Sequence, residues 1–226
     1  DLVRESWGDV WKSMKLEYVV QNKPLGLAHA VSTAKHLLGD EPFLLFLGDN
    51  VLKGGVKKYV HEFESKNMES MVLLSRVDRP QQFGVAIFKN DKLIGMVEKP
   101  ETPPSDLALV GIYFFNKKIH EIIKNLKPSK RGEYEITDAI QGLINNSVKV
   151  QHMRVDGWWK DTGLPKDLIE ANKLLLEDIK TRIDGKMSGG RLNGKVIIEK
   201  DAIVENSYIE GPVYIGEGSV VRNSNI

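Results

Sequence analysis

The sequence contains no cysteine, which excludes disulfides and any metal site built on thiolates. It has no apolar run near the roughly 20 residues that a bilayer-crossing helix needs. The longest such run, Phe43 to Leu47, is strand-sized. No signal-peptide pattern opens the chain, whose first residue is Asp1. A soluble cytoplasmic protein with no membrane partner is therefore expected. There is also no excess of either charge: 32 Lys and Arg stand against 31 Asp and Glu, a net +1. That balance draws no polyanion, so no nucleic-acid partner is expected, and any phosphate must be bound locally. Neither a Rossmann glycine fingerprint nor a P-loop lysine motif occurs.

What is present suffices for a sizeable core. The 226 residues are 41% hydrophobic, enough for one large domain or one domain plus an appendage. The first part alternates short β-like runs with amphipathic helices. Leu16 to Val20 reads as a strand, and Leu27, Val31, Ala34 and Leu38 then fall on one face of a helix. Phe43 to Leu47 is apolar throughout, as in a strand covered on both faces. A helix over Val56 to Lys66 and a buried strand over Ser70 to Ser75 complete a βαβαβ order, which predicts a doubly wound α/β sheet. Val85 to Phe88, Leu93 to Val97 and Val110 to Phe115 add hairpin-like strands, with Asn90 and Asp91 as turn residues. A helix around Ile136 to Ile144, a strand over Val148 to Val155 and a helix from Pro165 follow, the last with Leu168, Ala171, Leu175 and Ile179 on one face.

At Asp184 to Arg191 the composition shifts to a Gly-rich stretch that reads as a flexible link. Beyond it Ile198, Val204, Ile209, Ile215 and Val221 recur every five or six residues, the period of a parallel β-helix. The repeat runs to Ile226, so its open end is expected to be continued or covered.

Four groups of residues can carry chemistry. Asp49, in Gly48-Asp49-Asn50 directly after the apolar strand, sits where open α/β sheets bind ligands and suits a divalent cation. Asp161, in Trp158-Trp159-Lys160-Asp161-Thr162-Gly163, can supply a second carboxylate to the same ion; Mg²⁺ is typically held by one or two carboxylates plus substrate phosphates. Gln21 offers a donor and an acceptor to a pyrimidine edge, and Gly26 lets a base lie near the backbone at a helix start. Glu98 can accept sugar hydroxyls, while Lys99 and Arg131 can hold a phosphate. Singly, each group also reads as ordinary structure: a turn, packed tryptophans with a helix cap, a strand-to-helix loop, a surface ion pair.

Order changes that balance. The run Q-x-x-P-x-G-x-A from Gln21, then GDN, FGV, EKP, GIYFF, RGEYEITDAI and GWWKDTG, resembles the sugar nucleotidylyltransferase family. Within it the run is most similar to the long-form glucose-1-phosphate thymidylyltransferases, which carry a C-terminal β-helix. The resemblance covers roughly Leu16 to the end. It implies a doubly wound mixed α/β sheet of the Rossmann-like nucleotide-diphospho-sugar transferase kind over residues 1–183, a linker at 184–191, and the start of a left-handed parallel β-helix over 192–226. It further implies that Asp49 and Asp161 bind Mg²⁺, and that Gln21, Gly26 and Asp49 bind the nucleotide. Gly84, Glu98 and Leu109 then line the sugar pocket, and Lys99 and Arg131 grip the sugar phosphate. Asp49, Asp161, Lys99 and Arg131 would be the catalytic set, the partners a nucleoside triphosphate and a sugar-1-phosphate (dTTP and glucose-1-phosphate), and the assembly a homo-oligomer.

One departure stands out. Members of that family begin with a Gly-rich loop that cradles the triphosphate and supplies a catalytic Arg and Lys, and nothing before Gln21 resembles it. The resemblance implies that several tens of residues are missing, and that the chain by itself binds nucleotide poorly. Rival readings remain: UTP in place of dTTP, with glucose- or N-acetylglucosamine-1-phosphate; a non-catalytic sugar-nucleotide sensor; glycoside hydrolysis by Asp49 and Asp161, which would survive EDTA. Acyl transfer by the coils lacks an obvious base, because His29, His36, His61, His120 and His152 all precede the repeat.

Overall fold

Residues 2–226 are described by the structure, a computed structural model, in two units, the first ending at Trp159 and the second running Lys160–Ile226. In the first, helix α1 (Leu2–Trp7) and the hairpin β1 (Val10–Trp11) with β2 (Met14–Lys15) precede α2 (Leu27–Leu38). Then come β3 (Phe43–Phe46), β4 (Asn50–Leu52), α3 (Lys57–Ser65), β5 (Ser70–Arg76), β6 (Gly84–Lys89) and β7 (Lys92–Glu98). β8 (Leu107–Phe115), α4 (Lys118–Lys124), α5 (Ile136–Asn145) and β9 (Val150–Arg154) complete it, and the short β10 (Trp159–Asp161) lies where the units divide.

The central sheet runs β7-β6-β8-β5-β9, with β3 also paired to β8. β5 and β9 are parallel, whereas β8 is antiparallel to β3, β5 and β6, so the sheet is mixed rather than wound from parallel strands alone. β8 is buried at every position, and its alternation divides the core. Leu107, Leu109, Tyr113 and Phe115 face a cluster with Ala28 and Val31 of α2, Ile119 and Ile123 of α4, and Ile136, Ala139, Ile140 and Leu143 of α5. Val110, Ile112 and Phe114 face the other cluster, with Tyr59 and Phe63 of α3. Truncating a core ring such as Phe115 to Ala would cost about 3–5 kcal/mol.

β8 carries two residues more than β5 between the pairs Val72–Tyr113 and Leu74–Leu109. Gly111 sits in that bulge at φ 70°, a left-handed conformation a side chain would strain. The turn between β6 and β7 uses Asn90 and Asp91, both at positive φ, as their composition predicts.

Three expectations are corrected here. Leu16 to Val20 forms no strand, because no neighbouring strand offers it a ladder among the described residues. β3 is half-buried rather than covered on both faces: Phe46 is 40% exposed. In the helix begun by Pro165, only Ala171 of the expected apolar face is buried; Leu168 and Leu175 are exposed, and Ile179 lies beyond its end.

The second unit opens with that helix, α6 (Pro165–Glu177), whose Asp167 carboxylate accepts the Leu164 N–H at 3.1 Å. β11 (Arg182–Ile183), β12 (Lys186–Asn193), β13 (Val196–Ile198), β14 (Ile203–Glu210), β15 (Val213–Ile215) and β16 (Val220–Arg222) follow. They form two parallel sheets, β11-β13-β15 and β12-β14-β16. Lys186 pairs with Ile203 and Ile203 with Val220, a spacing of 17 residues (203 − 186 and 220 − 203), so three near-hexapeptide steps bring the chain back over itself. Val196, Ile198, Ala202, Val204, Ile209 and Ile215 are buried within. The stretch expected to be a flexible link is therefore corrected: most of it is β12, paired along its length with β14. Its glycines serve packing rather than flexibility. A Cβ on Gly190, at φ 81°, would lie 2.0 Å from the Ser207 carbonyl oxygen.

Among the described residues, no helix is long and apolar enough to cross a membrane.

Candidate active site

The turn after β3 is organised by side chains rather than by the sheet alone. The Leu47 N–H donates to the Gly111 carbonyl at 3.0 Å, and the Asn50 N–H to the Leu47 carbonyl at 3.1 Å. The Asn50 side-chain amide then donates to Asp49 Oδ1 at 2.7 Å, while its carbonyl oxygen accepts the Trp159 indole N–H at 2.6 Å. Gly111 makes room for this arrangement, since a Cβ there would lie 2.8 Å from Asn50 Nδ2. The Asp49 carboxylate is thus held by Asn50, and Asn50 by Trp159.

A second cluster forms where β6, β7 and β8 meet the start of α5. Gly84 and Glu98 are register partners. A Cβ on Gly84 would lie 2.6 Å from Thr137 Cγ2, 3.0 Å from Leu109 Cδ1 and 3.1 Å from Glu98 Oε2. Thr137 Oγ1 donates to Glu98 Oε2 at 3.2 Å. Arg131 stands among three carboxylates, with Glu98 and Glu135 each at 3.6 Å and Glu133 at 3.4 Å. Glu135 is buried and accepts the Ser129 hydroxyl at 3.0 Å. Burial, then the facing Glu135 carboxylate, push Glu98 above the usual glutamate range, and Arg131 and Lys99 oppose the shift. Lys99 itself follows β7 at positive φ, its N–H on the Phe83 carbonyl at 3.0 Å.

The third cluster is the loop entering α2. Gly26 sits against the backbone of Tyr134, whose N–H donates to the Leu25 carbonyl at 2.8 Å and whose carbonyl accepts from Ala28 at 3.0 Å. The Gln21 amide nitrogen lies 3.2 Å from the Gly26 carbonyl and 2.8 Å from His29 Nδ1. Both of its hydrogens are thereby engaged, which corrects the expectation that Gln21 offers a ligand a donor as well as an acceptor.

Of the residues singled out in the sequence, Gln21 is brought to Gly26, and Gly84, Glu98, Leu109 and Arg131 are brought together. The segment Arg131–Glu135 joins these two groups through Tyr134. Asp49 connects to the second group through rings. Phe83 packs edge-on against Trp159 at 5.7 Å, and the buried Tyr113 hydroxyl is pushed up by burial, then by Glu98 and Asp49. Asp161 closes β10 in the second unit, where its Oδ1 accepts the Gly163 N–H at 3.0 Å. Sequence reasoning missed Asn50, Glu135, Thr137 and His29, although the first three lie inside motifs it quoted.

The nucleotidyl transferase family model matches residues 1–178. The chain is 44% identical over 216 residues to a glucose-1-phosphate thymidylyltransferase of Streptomyces antibioticus, covering 94% of this chain and 61% of that protein. It is 43% identical over 191 residues to a low-salt glycan biosynthesis nucleotidyltransferase of Haloferax volcanii, covering 84% and 54%. It thus spans about three fifths or less of the length of these relatives. Among solved structures, one from Bacillus anthracis named as a glucose-1-phosphate thymidylyltransferase, in complex with sucrose, matches with a TM-score of 0.70 at 36% identity, over 80% of this chain and 73% of that one. A UDP-glucose pyrophosphorylase complexed with UDP-glucose matches at 0.66 and 28% identity, over 74% and 67%.

Proposed function

Because this chain belongs to the nucleotidyl transferase family, we propose that the protein transfers a nucleotidyl group from a nucleoside triphosphate, dTTP, to glucose-1-phosphate and releases pyrophosphate. One observation carries the reading. The loop of Gln21 and Gly26, suited to a base, and the cluster of Gly84, Glu98, Leu109 and Arg131, suited to a sugar phosphate, hang on the same segment, Arg131–Glu135. Two reactants bound on either side of one short segment are two reactants in reach of each other.

In this reaction an oxygen of the sugar phosphate attacks the α-phosphorus, and the bond to the β-phosphate breaks as pyrophosphate leaves in line. No general base is needed, since a phosphate monoester is already anionic near neutral pH. The protein's task is positioning and charge neutralisation. Glu98, held by Thr137, accepts sugar hydroxyls. Arg131 and Lys99 hold the attacking phosphate. Glu98, Glu133 and Glu135 surround the guanidinium at 3.4–3.6 Å and orient it, Glu133 by a hydrogen bond. Gln21 and Gly26 hold the base.

Asp49 and Asp161 are proposed to hold Mg²⁺. Both offer carboxylate oxygens, the hard donors that ion takes, each with one oxygen already oriented, by Asn50 and by the Gly163 N–H respectively. Among the described residues no cluster of three or more acidic or imidazole groups suits a metal, and an ion that also binds substrate phosphates needs none. When bound, the ion neutralises charge on the phosphoryl oxygens. The parallel stack of β11 to β16 is proposed to be a left-handed β-helix, supported by its 17-residue register, and the homo-oligomer is proposed from the family resemblance alone.

The test is pyrophosphate release by the full-length protein with dTTP, UTP, GTP or CTP and glucose-1-phosphate, with and without EDTA. Turnover with dTTP that EDTA abolishes, reduced at least about 100-fold in Asp49→Asn and in Asp161→Asn, is the expected result. A preference for UTP would replace the nucleotide named here. No release with any pair, or activity that survives EDTA, would overturn the reading.

A further inference from the structure

The Gln21 side chain is fixed by two acceptors, and one of them is a side chain. A carboxamide can present its oxygen or its NH₂ group to a ligand, and interchanging them reverses what it recognises. Here the NH₂ group lies 3.2 Å from the Gly26 carbonyl and 2.8 Å from His29 Nδ1. The carbonyl can only accept, so the amide must keep its hydrogens on that side. Nδ1 must then accept as well, and the ring proton sits on Nε2. The His29 ring is itself held by stacking on Tyr134, with centroids 6.3 Å apart and planes 28° apart. Tyr134 in turn is tied by backbone hydrogen bonds to Leu25 and Ala28, on either side of Gly26.

From this arrangement we propose that His29 is a positioning residue for base selection. Resting on the transfer reading above, it pins the Gln21 amide so that only Oε1 faces the nucleotide, selecting a pyrimidine whose N3 carries a proton. Thymine and uracil present that N3–H to the oxygen. Cytosine presents a lone pair at N3, and two acceptors face each other. Without the ring nitrogen, one of the two contacts that hold the amide is gone. The group can then turn its NH₂ toward cytosine N3. His29 touches neither phosphate nor sugar in this scheme, so its effect belongs to nucleotide binding and not to the chemical step.

The experiment compares wild type with His29→Phe, which keeps a ring against Tyr134 but has no acceptor, and His29→Gln, which restores one. Should His29→Phe not fold by circular dichroism, His29→Leu replaces it. Steady-state KM and kcat are measured in the full-length protein for dTTP, UTP and CTP with glucose-1-phosphate, and binding of dTDP, UDP and CDP by calorimetry. The expected result for the acceptor-free variant is a KM for dTTP and UTP raised about 10-fold with kcat within about 2-fold, and a preference over CTP reduced about 10-fold, the scale of one misplaced hydrogen bond. His29→Gln recovers most of both. An unchanged preference over CTP in a folded, active variant overturns the assignment of His29 while leaving the transfer reading intact. So does an equal loss in the Phe and Gln variants, or a loss confined to kcat. If wild type turns over none of these nucleotides, the transfer reading falls and this inference falls with it.

Discussion

The indole N–H of Trp159 donates to the side-chain carbonyl of Asn50 at 2.6 Å, joining residues 109 positions apart. The same Asn50 amide passes the constraint on to Asp49 at 2.7 Å. Trp159→Phe keeps the ring but strips the donor. The carbonyl is only partly buried and water can replace the donor in part, so a loss of about 0.5–1.5 kcal/mol is expected in denaturant unfolding. With Asn50 released, Asp49 is less well aimed, and the Mg²⁺ concentration for half-maximal activity should rise several-fold. An unchanged Mg²⁺ titration in the folded variant would separate Trp159 from metal binding.

Gly84→Ala tests the sugar cluster by adding one methyl group. The new atom would lie 2.6 Å from Thr137 Cγ2, so Thr137 must move, and with it the hydroxyl that holds Glu98. A rise of about 10-fold in KM for glucose-1-phosphate, with the KM for the nucleotide little changed, is expected. Equal changes in both would mean that Gly84 shapes the fold and not the sugar pocket.

Glu98 gives a pH signature. Burial first, then Glu135, hold its proton to higher pH in the folded chain than in the unfolded one. The stability this contributes is fully present below the ordinary glutamate value, about 4.3, and is lost as pH rises through the raised value. Glu98→Gln cannot titrate, so stability measured from about pH 4 to pH 7 should fall less steeply than in wild type. Arg131→Met removes a charge that opposes the shift, and should move the wild-type inflection further toward neutral. Parallel profiles for wild type and Glu98→Gln would place the titration elsewhere.

In the second unit, Gly190→Ala introduces a Cβ that would lie 2.0 Å from a backbone carbonyl, at a positive φ. Neither the contact nor the angle can relax without breaking the β12–β14 ladder. A loss of about 2–3 kcal/mol or more is expected, read as a lowered midpoint in thermal unfolding. Gly218→Ala is the control, since its Cβ would meet nothing within 4 Å, though it shares the positive φ. Equal losses would assign the effect to the backbone angle alone.

Much of the fold could be read from the chain. Short apolar runs and helical spacing located β5 to β9, α3, α5 and the start of α6, because apolar residues cluster where the chain enters the core. What failed were inferences about partners. Leu16 to Val20 has a strand's composition, but a strand also needs an edge to pair with. The hairpin-like reading of β6 to β8 agrees with their antiparallel pairing, but the place of β8 between β6 and β5, with β3 also on it, was illegible, because short connections do not encode strand order. Gly189 and Gly190 looked like flexibility, since sequence does not distinguish a glycine that bends freely from one that nothing larger can replace. At the site, motif order brought out Gly84, Glu98, Leu109 and Arg131, whereas the Gln21–His29 and Asn50–Trp159 contacts depend on distances that spacing does not encode.

The 17-residue register of the second unit sets a rule for how its length can change. Each rung rests on the one beneath, aliphatic over aliphatic, as Val204 rests against Val221. Removing one whole rung would leave every neighbour facing an equivalent one, so the stack tolerates growth and shrinkage in that quantum. A single-residue deletion would turn inward side chains outward along the strand and expose the interior at once.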